Sequence, residues 1–439
     1  MAFNNHITTY WRRGDPLVLA GQFAQALRPL LLLALALLLP RLGVGAQEIG
    51  QWEQLQYLSY LLSTAWLTGL AQAYLPRAKA GGQPLANALL RLGVGLSVVV
   101  VMAAWWGKEV LQASLIGGQA LPGWGWMLVF LLGHWPGLLY EQRLLAQGRV
   151  TRLIVFALLS NFALAFALVL PLILGYGWSV SVSSLALVGL FKIGLLFDGR
   201  AWDVGPTAPA ALLLRPALSL AGYAAMGALT LSFAAWFVNF WYGGQADTFA
   251  VFRYGTRELP FVLAFTNGIG QATLSRLGSA DPAAGLAALK QSGQRLMHFV
   301  FPLALLLLVA SPWWWEPLFT DQFAAALPLF QVYLLVLVPR LFFPVVVLTA
   351  TGHGKALLLL GGAELLLAIV LSYWWIVPYG MLGVVWAVVV AAFSDKLLAA
   401  LYLYHRERIA PSAYCSLNGL LGYSSLLLLA GWALGVFGR

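Results

Sequence analysis

The sequence predicts an all-α polytopic membrane protein, built as two homologous six-helix bundles followed by one extra C-terminal transmembrane helix. Three observations lead there. Of the 439 residues, 61% are hydrophobic and only 9% charged, with a mean hydropathy of +0.83, a balance foreign to soluble domains. The apolar residues come in runs of about 20, the length that crosses a bilayer core as a helix. The chain also repeats itself: Gly69 to Arg77 reads GLAQAYLPR and Gly268 to Arg276 reads GIGQATLSR, and at the same offset Gly45 falls on Gly244 and Glu48 on Asp247. A second echo, AQGR from Ala146 and ATGH from Ala350, has nearly that spacing. Internal duplication is a common plan for transporters.

Each element follows from its residues. Residues 1–15 are polar, carry Arg12 and Arg13, and are expected on the cytoplasmic side. Pro16 to Pro40 is the first apolar run, too long for a signal-peptide core. Trp52 to Leu75, Ala86 to Trp106, Trp124 to Ala146, Leu153 to Gly175 and Val180 to Phe197 complete an N-terminal bundle over 16–197. A polar, Pro-rich connector, 198–215, leads to the C-terminal bundle of 216–404. Its runs are Pro216 to Tyr242, Ala246 to Leu274, Leu296 to Pro312, Phe323 to Thr351, Ala356 to Val377 and Met381 to Tyr404. The basic loop 405–416, containing HRERIAPS, precedes Leu417 to Phe437, the additional helix of segment 417–439.

Charge placement supports this layout, because Lys and Arg collect in cytoplasmic loops. With the N-terminus cytoplasmic, the opposite side keeps only Arg41, Lys108 and Arg439, and seven basic residues fall within predicted helices: Arg28, Arg91, Lys192, Arg253, Arg257, Arg340 and Lys396. The other Lys and Arg are cytoplasmic. The net charge of +10 therefore reflects membrane topology, and no nucleic-acid partner is expected. Cys415 stands alone, so there is no disulfide framework. The five histidines are scattered without metal-ligand spacing, and GHGK at Gly352 lacks the pattern of a phosphate-binding loop. No cofactor or metal is expected. Every loop is short, which leaves no room for a soluble catalytic domain and disfavours an enzyme.

The intramembrane charges are the candidate site. Charge at membrane depth is costly and is normally turned toward a protein interior or a water-filled cavity. Arg28 lies twelve residues after Pro16, about 18 Å along a helix and near mid-membrane. Arg253 and Arg257 lie four apart on one face of a predicted spanning helix. Arg28, Arg253 and Arg257 are the predicted substrate-binding residues. The alternative for the latter two is a structural ion pair with Glu258. Arg340 and Glu364 flank the turn at Thr351 to Lys355 at similar depth and are expected to form a structural ion pair. Lys192, Asp395 and Lys396, nearer the cytoplasmic ends, are secondary candidates. The only carboxylates in the first six helices, Glu53 and Glu141, are expected near helix ends.

Several motifs resemble the multidrug/oligosaccharidyl-lipid/polysaccharide (MOP) flippase superfamily, and within it the Wzx-type polysaccharide or O-antigen flippases. They are GAQEIGQW from Gly45, RYGTRELPFVL from Arg253, AQGR and ATGHGK closing the fourth and tenth helices, and PYGMLGVVWA opening the twelfth. The resemblance covers residues 16 to about 404, with Ala46 in place of the family's usual proline. It implies bundles arranged around a central cavity that opens alternately to the two sides of a bacterial inner membrane. It also implies a cargo of undecaprenyl-diphosphate-linked oligosaccharide, moved to the periplasmic leaflet for surface polysaccharide such as lipopolysaccharide. Membrane lipid and a polysaccharide polymerase or glycosyltransferases are the implied partners. A cation-coupled drug exporter and a lipid II flippase are the alternatives in the same superfamily.

Overall fold

A computed structural model describes residues 16–197, 206–277 and 282–436. The predicted cytoplasmic N-terminus, residues 198–205 of the connector and Arg439 lie outside the described residues. Among those described there is no β-strand, and helices account for nearly all of the chain. Contacts divide it into two compact units. One comprises Met1–Leu38, Leu58–Leu111 and Ala120–Ala225; the other comprises Leu39–Tyr57, Gln112–Gln119 and Met226–Arg439.

The helices before the connector are α1 (Pro16–Arg41), α2 (Ala46–Tyr74), α3 (Ala78–Trp106), α4 (Lys108–Leu115), α5 (Trp124–Ala146), α6 (Val150–Ile173) and α7 (Trp178–Phe197). α2 starts at Ala46, earlier than the apolar run, so Glu53 sits two turns inside the helix and not near its end. In the first unit the packing of α5 on α7 is set by glycine. A Cβ on Gly133 would lie 2.0 Å from the Gly189 carbonyl oxygen, and one on Gly189 would lie 2.6 Å from Phe130 Cα. Only hydrogen at both positions lets these backbones touch. Side chains one turn beyond the crossing are thereby pressed together. Ser184 hydroxyl donates to the Ala167 carbonyl at 2.6 Å, tying α7 to α6.

After the connector come α8 (Ala211–Trp241), α9 (Ala246–Gly255), α10 (Pro260–Leu277), α11 (Pro282–Phe319), α12 (Leu327–Tyr333), α13 (Leu337–Arg340), α14 (Pro344–Ala350), α15 (Gly354–Arg406), α16 (Pro411–Tyr414) and α17 (Leu417–Ala433). Two predicted spans are broken. Ala246 to Leu274 is interrupted at Thr256–Leu259, because Pro260 has no N–H for the Thr256 carbonyl and its ring opposes a helical residue before it. Phe323 to Thr351 is divided by 3-10 turns and interrupted at 341–343, just before Pro344. α15 runs through the predicted boundary between two spans. Its 53 residues would reach about 80 Å if straight, yet the residues flanking its two ends meet, with His353 Nε2 2.7 Å from Glu407 Oε1. Gly380, at φ +57°, reverses the chain and makes α15 a hairpin of two arms.

Seven helices among the described residues are long and apolar enough to cross a membrane, or eight if the bent pair Ala211–Gly222 and Ala225–Trp241 is one span. α15 contributes one of these although it doubles back. α2 is too polar to qualify by composition. The additional helix α17 packs on α11, where Tyr423 stacks on Phe301 at 5.2 Å and its hydroxyl meets His298 Nδ1 at 2.7 Å.

Candidate functional site

Each unit contains a cluster of charged residues within its apolar framework. In the first unit, the Gly133–Gly189 crossing delivers Lys192 of α7 onto α5, and Gly137 leaves room for the lysine stem, whose Cδ lies 3.8 Å from an ideal Cβ there. Lys192 Nζ lies 2.9 Å from His134 Nδ1 and 5.7 Å from the centre of the Phe130 ring, on which His134 itself stacks at 4.7 Å. Lys192 and His134 are 4% and 3% exposed. Arg28 from α1 and Glu141 from α5, seven residues after His134 and so on the same helical face, are within electrostatic reach of Lys192. Both keep partial exposure. No two of Arg28, Glu141 and Lys192 close an ion pair within 4 Å.

The second unit holds the opposite arrangement. Gly50 of α2 packs against the start of α9, where a Cβ would overlap the Ala246 carbonyl. Glu53, one turn further and 4% exposed, therefore faces the end of α9. It accepts from Arg253 Nε at 3.3 Å and from Arg257 Nη2. The Arg257 guanidinium also lies 5.3 Å from the centre of the Tyr254 ring, and Tyr254 stacks on Phe323 at 3.8 Å. On the other side of the same helix break, Glu258 accepts from Arg340 and from the Tyr333 hydroxyl at 3.3 Å. This second pair joins the two interrupted spans. A small cavity, with room for little more than a water molecule, is bordered by Arg257, Glu258, Tyr333 and Arg340 and otherwise by apolar side chains.

These contacts revise the sequence expectations. Arg340 pairs with Glu258, not with Glu364, because the break at Thr256–Leu259 frees Glu258 to reach it. Glu364 stays within electrostatic reach of Arg340 without closing a bridge among the described residues. Arg253 and Arg257 pair with Glu53, not with Glu258. Asp395 holds its neighbour Lys396 at 2.5 Å. Sequence reasoning singled out Arg28 and Lys192 and missed His134 and Glu141. Their spacing of seven on one helix was the available signal. Among the described residues no three His, Cys, Asp or Glu side chains are grouped to hold a metal ion. Burial pushes the Cys415 thiol, between α16 and α17, up to about 11, which leaves it protonated and unreactive.

No family model matches the sequence, and no curated protein matches it. Solved structures do. An outward-facing multidrug resistance MATE family transporter of the MOP superfamily aligns over 92% of this chain and 97% of its own, with 19% identity and a TM-score of 0.63. A MOP superfamily transporter from Pyrococcus furiosus, described by the reversed polarity of its binding pocket, aligns over the same shares with 19% identity and a TM-score of 0.62. The lipid II flippase MurJ, in an inward closed conformation, aligns over 97% of this chain and 90% of its own, with 13% identity and a TM-score of 0.64. The fold of this multi-pass membrane protein is that of the MOP transporters.

Proposed function

We propose that the chain is a MOP-type flippase that carries an anionic, lipid-linked cargo by alternating access. Its substrate is an undecaprenyl-diphosphate-linked oligosaccharide, moved from the cytoplasmic to the periplasmic leaflet of a bacterial inner membrane. The observation that supports this is the open cluster of Arg28, Lys192 and Glu141, which carries a formal net charge of +1 without an ion pair to neutralise it. A guanidinium matches phosphate oxygens with two parallel hydrogen bonds and is weakly hydrated, so it suits a diphosphate at membrane depth. Arg253 and Arg257, expected from the sequence to bind as well, are engaged by Glu53, which leaves the cargo to the cluster around Arg28.

The drug-exporter reading requires carboxylates free to meet a cation. Here Glu53 and Glu258 are each held by arginine, and Asp395 by lysine, while Glu141 and Glu364 close no bridge among the described residues, so that reading would depend on these two. A binding pocket of reversed polarity is described for the Pyrococcus furiosus transporter, so this fold accommodates pockets of either sign. Complementation decides between them. In a strain lacking its own polysaccharide flippase, this chain should restore surface glycan and Arg28→Ala should not, at equal abundance in the membrane. Full glycan from Arg28→Ala, or export of a cationic dye that depends on Glu141, would reject the anionic cargo.

A further inference from the structure

Opposite charges that share a low-dielectric interior gain strongly by closing into contact. Arg28, Glu141 and Lys192 sense one another electrostatically yet stay apart. Lys192 is tied to His134 Nδ1 at 2.9 Å, and His134 is fixed by its stack on Phe130. With Lys192 as an ammonium, which has only donors, Nδ1 accepts and the imidazole hydrogen sits on Nε2. His134 Nε2 is buried without a hydrogen-bond partner. A buried donor without a partner is uncommon and is a candidate contact point for an acceptor. The cluster therefore offers a guanidinium and a buried N–H, with a single carboxylate as rival acceptor.

We propose that this cluster receives one phosphoryl group of the cargo, and that Glu141 is a built-in competitor for the same donors. Phosphate oxygens accept from Arg28 and from His134 Nε2, with Lys192 holding the imidazole in the donating tautomer and adding charge. Glu141 keeps the resident net charge at +1, so one phosphoryl negative charge is neutralised and a second is left uncompensated. The carboxylate's competition for the same donors sets release. This inference rests on the anionic-cargo reading and deepens it by assigning two roles: His134 and Lys192 bind, and Glu141 lets go.

The test measures binding of undecaprenyl diphosphate, inorganic pyrophosphate and the uncharged undecaprenol to the purified full-length protein in detergent. Glu141→Gln should tighten undecaprenyl diphosphate binding about tenfold while slowing glycan export in cells. Lys192→Gln, and His134→Phe, which keeps the stack and removes the N–H, should each weaken binding about tenfold. Glu364→Gln in the other unit should change nothing. The same dependence with pyrophosphate assigns the site to the phosphoryl group, and dependence with undecaprenyl diphosphate alone assigns it to the lipid-linked form; either supports the proposal. Binding that is unchanged or weaker in Glu141→Gln overturns the competitor role while the cargo reading stands. If Glu141→Gln does not fold, unchanged binding by Lys192→Gln and His134→Phe overturns it instead. Undecaprenol binding as well as the diphosphate, or no binding of the diphosphate to the parent protein, removes the cargo reading and this inference together.

Discussion

The cluster around Arg28 and the cluster around Glu53 use the same residue types at opposite settings. Around Glu53, two arginines reach one buried carboxylate, and beyond the helix break Glu258 takes Arg340, so every charge has a partner. Around Arg28 the charges face one another with no bridge closed, and the lysine leans on a neutral imidazole. A charge that is already paired has little left to offer a ligand, and removing its partner leaves an uncompensated ion in low dielectric. An unpaired charge is costly to keep and gains most from a ligand. The comparison separates a cluster that holds the fold together from one suited to binding.

The sharpest test sets Arg28→Ala beside Arg257→Ala. The first should cut transport roughly 100-fold, the equivalent of about 3 kcal/mol for a lost charge-assisted contact, with abundance and melting temperature unchanged. The second should lower transport and stability together, since Glu53 then keeps only Arg253. An unstable Arg28→Ala beside a stable Arg257→Ala would invert the comparison.

Glu53→Gln probes the closed cluster directly. It leaves two arginines without their carboxylate, and a loss of about 3 kcal/mol is expected, the low end for a buried pair because the Arg253 side chain is 38% exposed. Thermal melting in detergent should fall by roughly 3 °C. An unchanged melt means that these charges do not support the fold.

Gly189→Ala addresses how the open cluster is positioned. Its new methyl would meet backbone at 2.6 Å, an overpacking cost of about 2 kcal/mol. α5 and α7 should part and Lys192 should leave His134, so transport should drop even when the protein is rescued at low temperature. Transport at the parent's level would disconnect the crossing from the cluster.

The smallest effect belongs to the second closed pair. Glu258 and Arg340 side chains are 28% and 25% exposed, so a double-mutant cycle on them should give a coupling of about 1 kcal/mol. The cycle on Arg340 and Glu364 should give a coupling indistinguishable from zero. A larger coupling to Glu364 would restore the pair expected from depth alone.

The sequence by itself determined the all-α membrane class, the duplication and most helix positions. These rest on local properties, run length and composition, that do not depend on what each helix touches. It also determined that Arg28 lies deep in its helix, since counting residues measures depth along an axis. Pairing needs more than depth. Arg340 and Glu364 matched in depth, yet Pro260 unwinds the chain at Thr256–Leu259 and swings Glu258 into Arg340's reach. Glu53 entered the site through a close approach at Gly50, and His134 met Lys192 through Gly133 and Gly189. Partners across helices are chosen by which backbones touch and how each helix is rotated, and that rotation is a property of packing. Only the tertiary structure could decide it.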